Sequence, residues 1–412
     1  MRVLLVNDYA VPIGGAEALF LLLRSELRER GHEVRLFASR ARPGGLEPLS
    51  DADGFGTTSR LRTLVQTVNP AASLSLRREL HGFRPEVIHV GMFLTQLSPA
   101  ILPLLRGYPS VYHIHWHRPA CPLGTKMRPD GTLCDVRWGR ACRRDGCLPR
   151  RDWFPLMAQL HLLHTWKDAF DVFVATSKSM RDRMTTEGFG QAELVWNGVP
   201  PAPRRPPLTD PPTIAFAGRL VPEKGPHLAL EALRILSVRF PDARLLMAGN
   251  GPEGARLERL STELGLDDRV TWCGHLPREE MERRLSAAWV QVVPSRWEEP
   301  FGLVAAEAAM RGTAVVASRC GALPEVVRED ITGLLFPRDD VGALAACLGR
   351  LLESRALAER IGGDARAHAL ASFGMDSFVD RMTEIYKLAR RRHGDQSRRR
   401  TTSGSGMPGC FA

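Results

Sequence analysis

Between Asn197 and Thr213 the chain reads NGVPPAPRRPPLTDPPT. Seven prolines in 17 residues exclude both a helix interior and a central strand, because each proline fixes φ and removes a backbone donor. The segment must therefore connect two separately folded parts. Its position near the middle of 412 residues agrees with that, since a chain of this length exceeds one ordinary core. A hydrophobic content of 44% is that of globular protein rather than of disorder.

The same pattern runs on both sides of the prolines. Before them, MRVLLV, VRLFA, EVIHV, SVYHIHW, DVFVATS and ELVWNG are short apolar runs separated by helical patterns. After them come TIAFAGRL, ARLLMAGNG, RVTWCGH, VQVVPSRW, AVVASRCG and GLLFP. This alternation predicts strand and crossover helix, hence a parallel sheet covered on both faces. The expected fold class is α/β with two Rossmann-like doubly wound domains, residues 1–199 and 213–370, joined by a linker over 200–212. Phe378, Met382, Ile385, Tyr386 and Ala389 lie at helical spacing, so 371–392 is expected to form a terminal helix that crosses back to the first domain. Residues 393–412 read as a disordered basic tail.

The formal charge of +10 suggests nucleic acid at first sight. Seven cations against Asp395 after residue 386 supply +6 of it, leaving +4 for everything before. With no aromatics interleaved, nucleic-acid binding is not expected. No apolar run reaches the roughly 18 residues of a spanning helix, and MRVLLVNDYA reads as a first strand rather than a signal peptide. The expected location is cytoplasmic. Arg60, Arg62, Arg77, Arg78, Arg84 and the arginines of 137–151 make the first domain locally basic, which suits a lipid-linked or anionic acceptor at the inner face of a membrane.

Cys121, Cys134, Cys142 and Cys147 fall within 27 residues, inside an insertion at about 118–152. The spacing admits a structural zinc site or, equally, unligated or redox-sensitive thiols.

Ligands of open parallel sheets bind beyond the carboxyl ends of the strands, so the strand-to-helix loops hold the motifs that matter. Gly14 and Gly15 follow the first strand and open a helix, where backbone N–H groups attract phosphate or carboxylate. The loop lacks the GxGxxG pattern, and a nicotinamide cofactor is not expected. Arg219 and Lys224, bracketed by Gly218 and Gly225, suit a diphosphate. In RWEEPFGLVAAEAAMRG, Glu299 and Glu307 are eight residues apart, or roughly 12 Å along a helix. That exceeds the roughly 5 to 9.5 Å between paired glycosidase carboxylates. The two acids are better suited to gripping two parts of one long ligand. Asp51-Ala52-Asp53 follows GGLEPLS and reads as a turn, not a metal-binding Asp-x-Asp.

Taken in order, Gly14-Gly15-Ala16-Glu17, Gly218-Arg219, Lys224-Gly225, GNGPE at 249–253, PSRWEEPFGLVAAEA at 294–308 and GALPEVV at 321–327 resemble the retaining glycosyltransferases of family four, which have the GT-B fold. The resemblance implies that Arg219 and Lys224 hold a donor diphosphate, that Glu307 binds ribose, and that Glu299 lies by the donor sugar. It places the amides of Phe301, Gly302 and Leu303 around sugar and phosphate, and Gly15 on the facing wall. HIHWHRPACP resembles the family's segment carrying an active-site histidine, which maps to His115, with Trp116 where an Asp is usual and with His113 and His117 as rivals. The implied activity is transfer of a sugar from a UDP- or GDP-sugar to an acceptor hydroxyl, with retention and without a required cofactor or metal. An epimerase or phosphorylase on the same fold, or a non-catalytic sugar-nucleotide-binding protein, is the alternative.

Overall fold

The computed structural model describes residues 1–403. Seven strands build the first sheet: β1 Arg2–Val6, β2 Glu33–Ser39, β3 Ala52–Gly54, β4 Val87–Val90, β5 Ser110–Ile114, β6 Val172–Ala175 and β7 Glu193–Leu194. Their order across the sheet is β3-β2-β1-β4-β5-β6-β7, and every pairing is parallel. The second sheet holds β8 Thr213–Ala217, β9 Arg244–Ala248, β10 Val270–Gly274, β11 Val290–Val293, β12 Ala314–Ser318 and β13 Gly333–Phe336. Its order is β10-β9-β8-β11-β12-β13, again parallel throughout. In both sheets the order reverses beside the first strand, which opens a crevice at the strand ends.

Central strands are apolar along their length because both faces are covered. In β1, Leu4 and Val6 join one core cluster while Val3 and Leu5 join another, the two-residue period of a strand between two layers. The Val3 and Leu5 face is covered by Leu19, Phe20, Leu23 and Leu27 of the helix Gly15–Glu29 and by the last helix of the chain, Met375–Ser403. Met375, Phe378, Val379, Met382, Ile385, Tyr386 and Ala389 of that last helix are buried against the first sheet. The chain thus crosses between the lobes twice. The crossings touch where Val199 donates its N–H to the carbonyl of Phe373 at 2.8 Å.

Three expectations need correction. Ala52–Gly54, which overlaps the expected turn Asp51-Ala52-Asp53, is an edge strand. Asp51 is held there by Arg24, Arg28 and the Leu36 N–H, and Asp53 by Arg40, so neighbouring cations satisfy both acids. The tail expected from 393 onward is helical to Ser403, anchored at its start by His393 against Asp171 at 3.2 Å; residues 404–412 of that expectation lie outside the described residues. Finally, no group of three or more His, Cys, Asp or Glu among the described residues is placed to hold a metal ion. Cys121, Cys134, Cys142 and Cys147 are free thiols, and burial followed by the neighbouring thiols pushes Cys147 up to about 11. The zinc site drawn from their spacing is therefore not assembled.

Candidate active site

The carboxyl ends of both sheets face one cavity of about 440 Å³. The first lobe lines it with the turn Ile13–Glu17 and with Met92, His115 and Trp116; the second lobe contributes Arg219, Lys224, Pro294, Ser295, Trp297 and the run from Glu299 to Val304.

Each wall follows from local backbone needs. Gly15 stands where an added Cβ would lie 2.5 Å from Leu303 Cδ1 of the opposite lobe, so the lobes approach too closely for any side chain. Gly302 has φ 95°, precedes the helix Leu303–Arg311 and provides no side-chain cap. Ala305 and Ala306 donate their N–H groups to the Gly302 carbonyl, so the helix start offers the cavity the N–H groups of Leu303 and Val304, which line it, an arrangement that favours anions. Gly225 has φ 62°, and its Cβ would lie 2.2 Å from the Pro294 carbonyl; this contact packs the cationic loop onto the acidic one.

Arg219 and Lys224 both reach the cavity, Arg219 largely exposed and 3.4 Å from Glu223. Lys224 instead forms an ion pair with Glu299, which also accepts a hydrogen bond from Ser295 Oγ at 2.6 Å. The Lys224 ammonium lies 5.0 Å from the centre of the Trp297 ring. Burial raises the Glu299 carboxyl, but the Lys224 charge and the hydrogen bonds from Lys224 and Ser295 outweigh it, so its pKa is lowered and the group is ionised. Phe301, Gly302 and Leu303 line the cavity beside it. Glu307 is half-buried on the same helix and does not line the cavity.

The three neighbouring histidines separate cleanly. His115 lines the cavity, and burial lowers its pKa to about 3, so its imidazole is neutral. His113 lies one layer deeper, its ring centre 4.0 Å from that of His115 and 5.4 Å from that of His89, toward Phe378 of the last helix. His117 turns to the second lobe and donates from Nε2 to the Glu298 carbonyl at 2.7 Å. Trp116, in the position where the resemblance leads one to expect an Asp, also lines the cavity.

Sequence reasoning quoted Glu17, Ser295 and Trp297 within motifs but gave them no role. Glu17 lines the cavity and is buried; burial first, then the nearby charge of Asp8, raises its pKa to about 7, with Arg219 pulling the other way across the cleft. Its carboxylate folds back over Gly14, where a Cβ would lie 2.7 Å from Glu17 Oε2. The signal available in the sequence was an acid in the first turn of a helix that opens on two glycines.

Two parallel, doubly wound lobes facing one cation-bearing cleft define the GT-B architecture. Two family models match adjoining parts of the chain: Glycosyltransferase Family 4 over residues 13–202 and Glycosyl transferases group 1 over residues 202–368. The chain belongs to this glycosyltransferase family. It is 28% identical to the glycogen synthase of Mycobacterium tuberculosis over 95% of both chains. It is 36% identical to the D-inositol 3-phosphate glycosyltransferase of Streptomyces griseus, over 44% of this chain and 40% of that one. Among solved structures, the sucrose-phosphate synthase of Thermosynechococcus elongatus superposes with a TM-score of 0.73 at 24% identity, covering 94% of this chain and 98% of that one. Anabaena HepE in complex with UDP-glucose superposes with a TM-score of 0.67 at 18% identity, covering 94% and 99%.

Proposed function

We propose that the chain is a retaining glycosyltransferase that moves a sugar from a nucleotide diphosphate sugar to an acceptor hydroxyl. The observation that carries this reading is the convergence, in one interlobe cavity, of Arg219, Lys224 and the uncapped start of the helix Leu303–Arg311. Departure of a diphosphate builds negative charge, and these groups offer positive charge fixed in advance. The UDP-glucose complex of a protein with the same fold supports a nucleotide-sugar donor of this kind.

In this reading Glu299, ionised and held by Lys224 and Ser295, sits by the donor sugar, and the amides of Phe301, Gly302 and Leu303 hold sugar and phosphate. Glu307, on the same helix but outside the cavity lining, binds the ribose hydroxyls where the nucleoside extends past that cavity. His115, neutral at working pH, can donate from one ring nitrogen and accept at the other, which suits holding a sugar hydroxyl better than carrying charge. Among the described residues no cavity-lining carboxylate stands free to form a covalent sugar intermediate: Glu299 is paired, and Glu17 is held against the backbone of its own helix. Front-face attack on a short-lived oxocarbenium ion pair follows, with the leaving phosphate taking the acceptor proton.

A screen of UDP- and GDP-sugars by nucleotide release, with the anomeric configuration of the product read by NMR, tests the assignment. Replacing Arg219 with Ala and Lys224 with Met together should lower kcat by at least about 100-fold, the loss typical of removing preorganised charge stabilisation. Unchanged turnover in that variant would sink the diphosphate role.

A membrane-facing acceptor side is part of the same proposal. Among the described residues no helix is long and apolar enough to cross a membrane. Leu61, Leu64, Val68 and Phe154 are nevertheless exposed on the first lobe, with Arg60, Arg62, Arg150 and Arg151 exposed beside them. The two segments meet where Thr67 Oγ1 donates to the Pro155 carbonyl at 3.1 Å. Exposed apolar side chains ringed by arginine suit the surface of an anionic bilayer. The protein should float with vesicles containing phosphatidylglycerol, and the Leu64→Glu, Phe154→Glu double variant should not. Equal flotation of both would remove the assignment.

A further inference from the structure

Glu299 has a neighbour for which the donor site has no use. Glu298 turns away from the cavity and meets Arg183 of the first lobe in a two-pronged ion pair, Nη2 to Oε1 at 2.5 Å and Nε to Oε2 at 3.1 Å. The pair is mostly shielded, with side-chain exposures of 21% and 18%. Two further first-lobe side chains hold the same three-residue stretch: His117 donates to the Glu298 carbonyl at 2.7 Å, and Thr176 Oγ1 donates to the Pro300 carbonyl at 3.0 Å.

Arg183 belongs to the helix Lys178–Thr186, and both ends of that helix are fastened. At its start the N–H groups of Lys178 and Ser179 donate to the carboxylate of Glu325, a second-lobe residue, at 2.8 Å each. At its end Glu187 forms a buried ion pair with Lys126 of the cysteine-containing insertion at 3.2 Å. The insertion itself reaches the second lobe, where Arg338 donates to the Gly131 carbonyl at 2.9 Å. The helix is therefore a rigid arm carried by one lobe and gripped by the other.

We infer that Arg183 and Glu298 are a positioning pair for transfer: the first lobe sets the geometry of the donor loop 298–303, so that Glu299 and the helix start take their working places only when the lobes meet. The inference rests on the donor reading above for its kinetic consequence, but not for its mechanical one. Consecutive residues of a tight loop cannot move independently, so fixing Glu298 from outside fixes Glu299 inside. A ligand held by the second lobe alone would then bind without reacting until Arg183 arrives.

The expected signature is a split between binding and turnover. Arg183→Gln and Glu298→Gln should each lower kcat by about 10- to 100-fold while leaving the Kd for UDP or GDP, measured calorimetrically, within about twofold. Arg183→Glu combined with Glu298→Arg should regain at least about tenfold over either charge-reversed single variant, since the pair is restored with its poles exchanged. Arg183→Lys, which keeps the charge and loses the fork, should fall between wild type and Arg183→Gln. Small-angle scattering gives a readout that needs no donor: Arg183→Gln should populate more open particles, with a larger radius of gyration, than wild type. Wild-type kcat together with wild-type scattering in Arg183→Gln would overturn the inference, as would a nucleotide Kd that weakens in step with kcat. A wild-type protein that binds neither UDP nor GDP would overturn the donor reading instead, leaving the scattering comparison to decide on the pair.

Discussion

Glu17 is a cavity-lining carboxyl whose ionisation is costly because the fold buries it. Its pKa rises from 4.5 to about 7 on folding, a displacement equivalent to about 3 kcal/mol of differential stability. The folded state binds the proton more tightly than the unfolded chain, so the penalty is absent below pH 4.5, grows through the interval and is complete above pH 7. Thermal melts should therefore show Glu17→Gln to be stabilised relative to wild type at pH 8 and not at pH 4.5. A stability difference independent of pH between these values would contradict the burial of an ionising group there. Glu298 shows why such residues escape a reading of the sequence. Its partner Arg183 lies 115 positions away on the other lobe, and nothing local marks either residue. Arg219 and Lys224, by contrast, sit in a loop bracketed by Gly218 and Gly225, and Glu299 in a loop closed by Gly302, each at the end of a recognisable strand, where the sequence does carry position. Glu307 was legible as a carboxylate on an alanine-rich helix, but not its remove from the cavity lining, which depends on how the helix is rolled.

The strands of both sheets were legible for a physical reason. A parallel strand covered on two faces must be apolar almost throughout, and β4, β5, β11, β12 and β13 are fully buried. β3 offers three residues at the sheet edge, two of them polar or glycine, so no apolar run exists to be seen. Its acids look like a metal motif only until Arg24, Arg28 and Arg40 are placed beside them. The end of the last helix was hidden similarly. Beyond Tyr386 and Ala389 its residues are charged, and composition alone reads such a run as unstructured. Helix is retained there by polar contacts that no periodicity reveals, Arg392 to Glu193 and His393 to Asp171. The cysteines show the converse error: closeness in sequence promised ligands, while the fold ties the insertion down through Lys126 and Glu187 instead.

The whole molecule is two lobes, each with its own sheet, yet they are not two separable units. Seven buried side chains from Met375 to Ala389 complete the core of the first lobe, the six larger ones each contributing about 2 kcal/mol by burial. A chain ended after Ser372 should consequently expose that face; binding of an apolar dye and a lower melting temperature than wild type would show it. A truncated protein as stable as wild type, and binding no more dye, would mean that the last helix is dispensable. The same helix carries a consequence for how the protein is made. Synthesis delivers the first sheet early, but the surface that covers it is encoded after the whole second lobe. The part that emerges first from the ribosome must wait, partly uncovered, for the part that emerges last. It is during this interval, rather than in the finished enzyme, that the chain has most need of a chaperone.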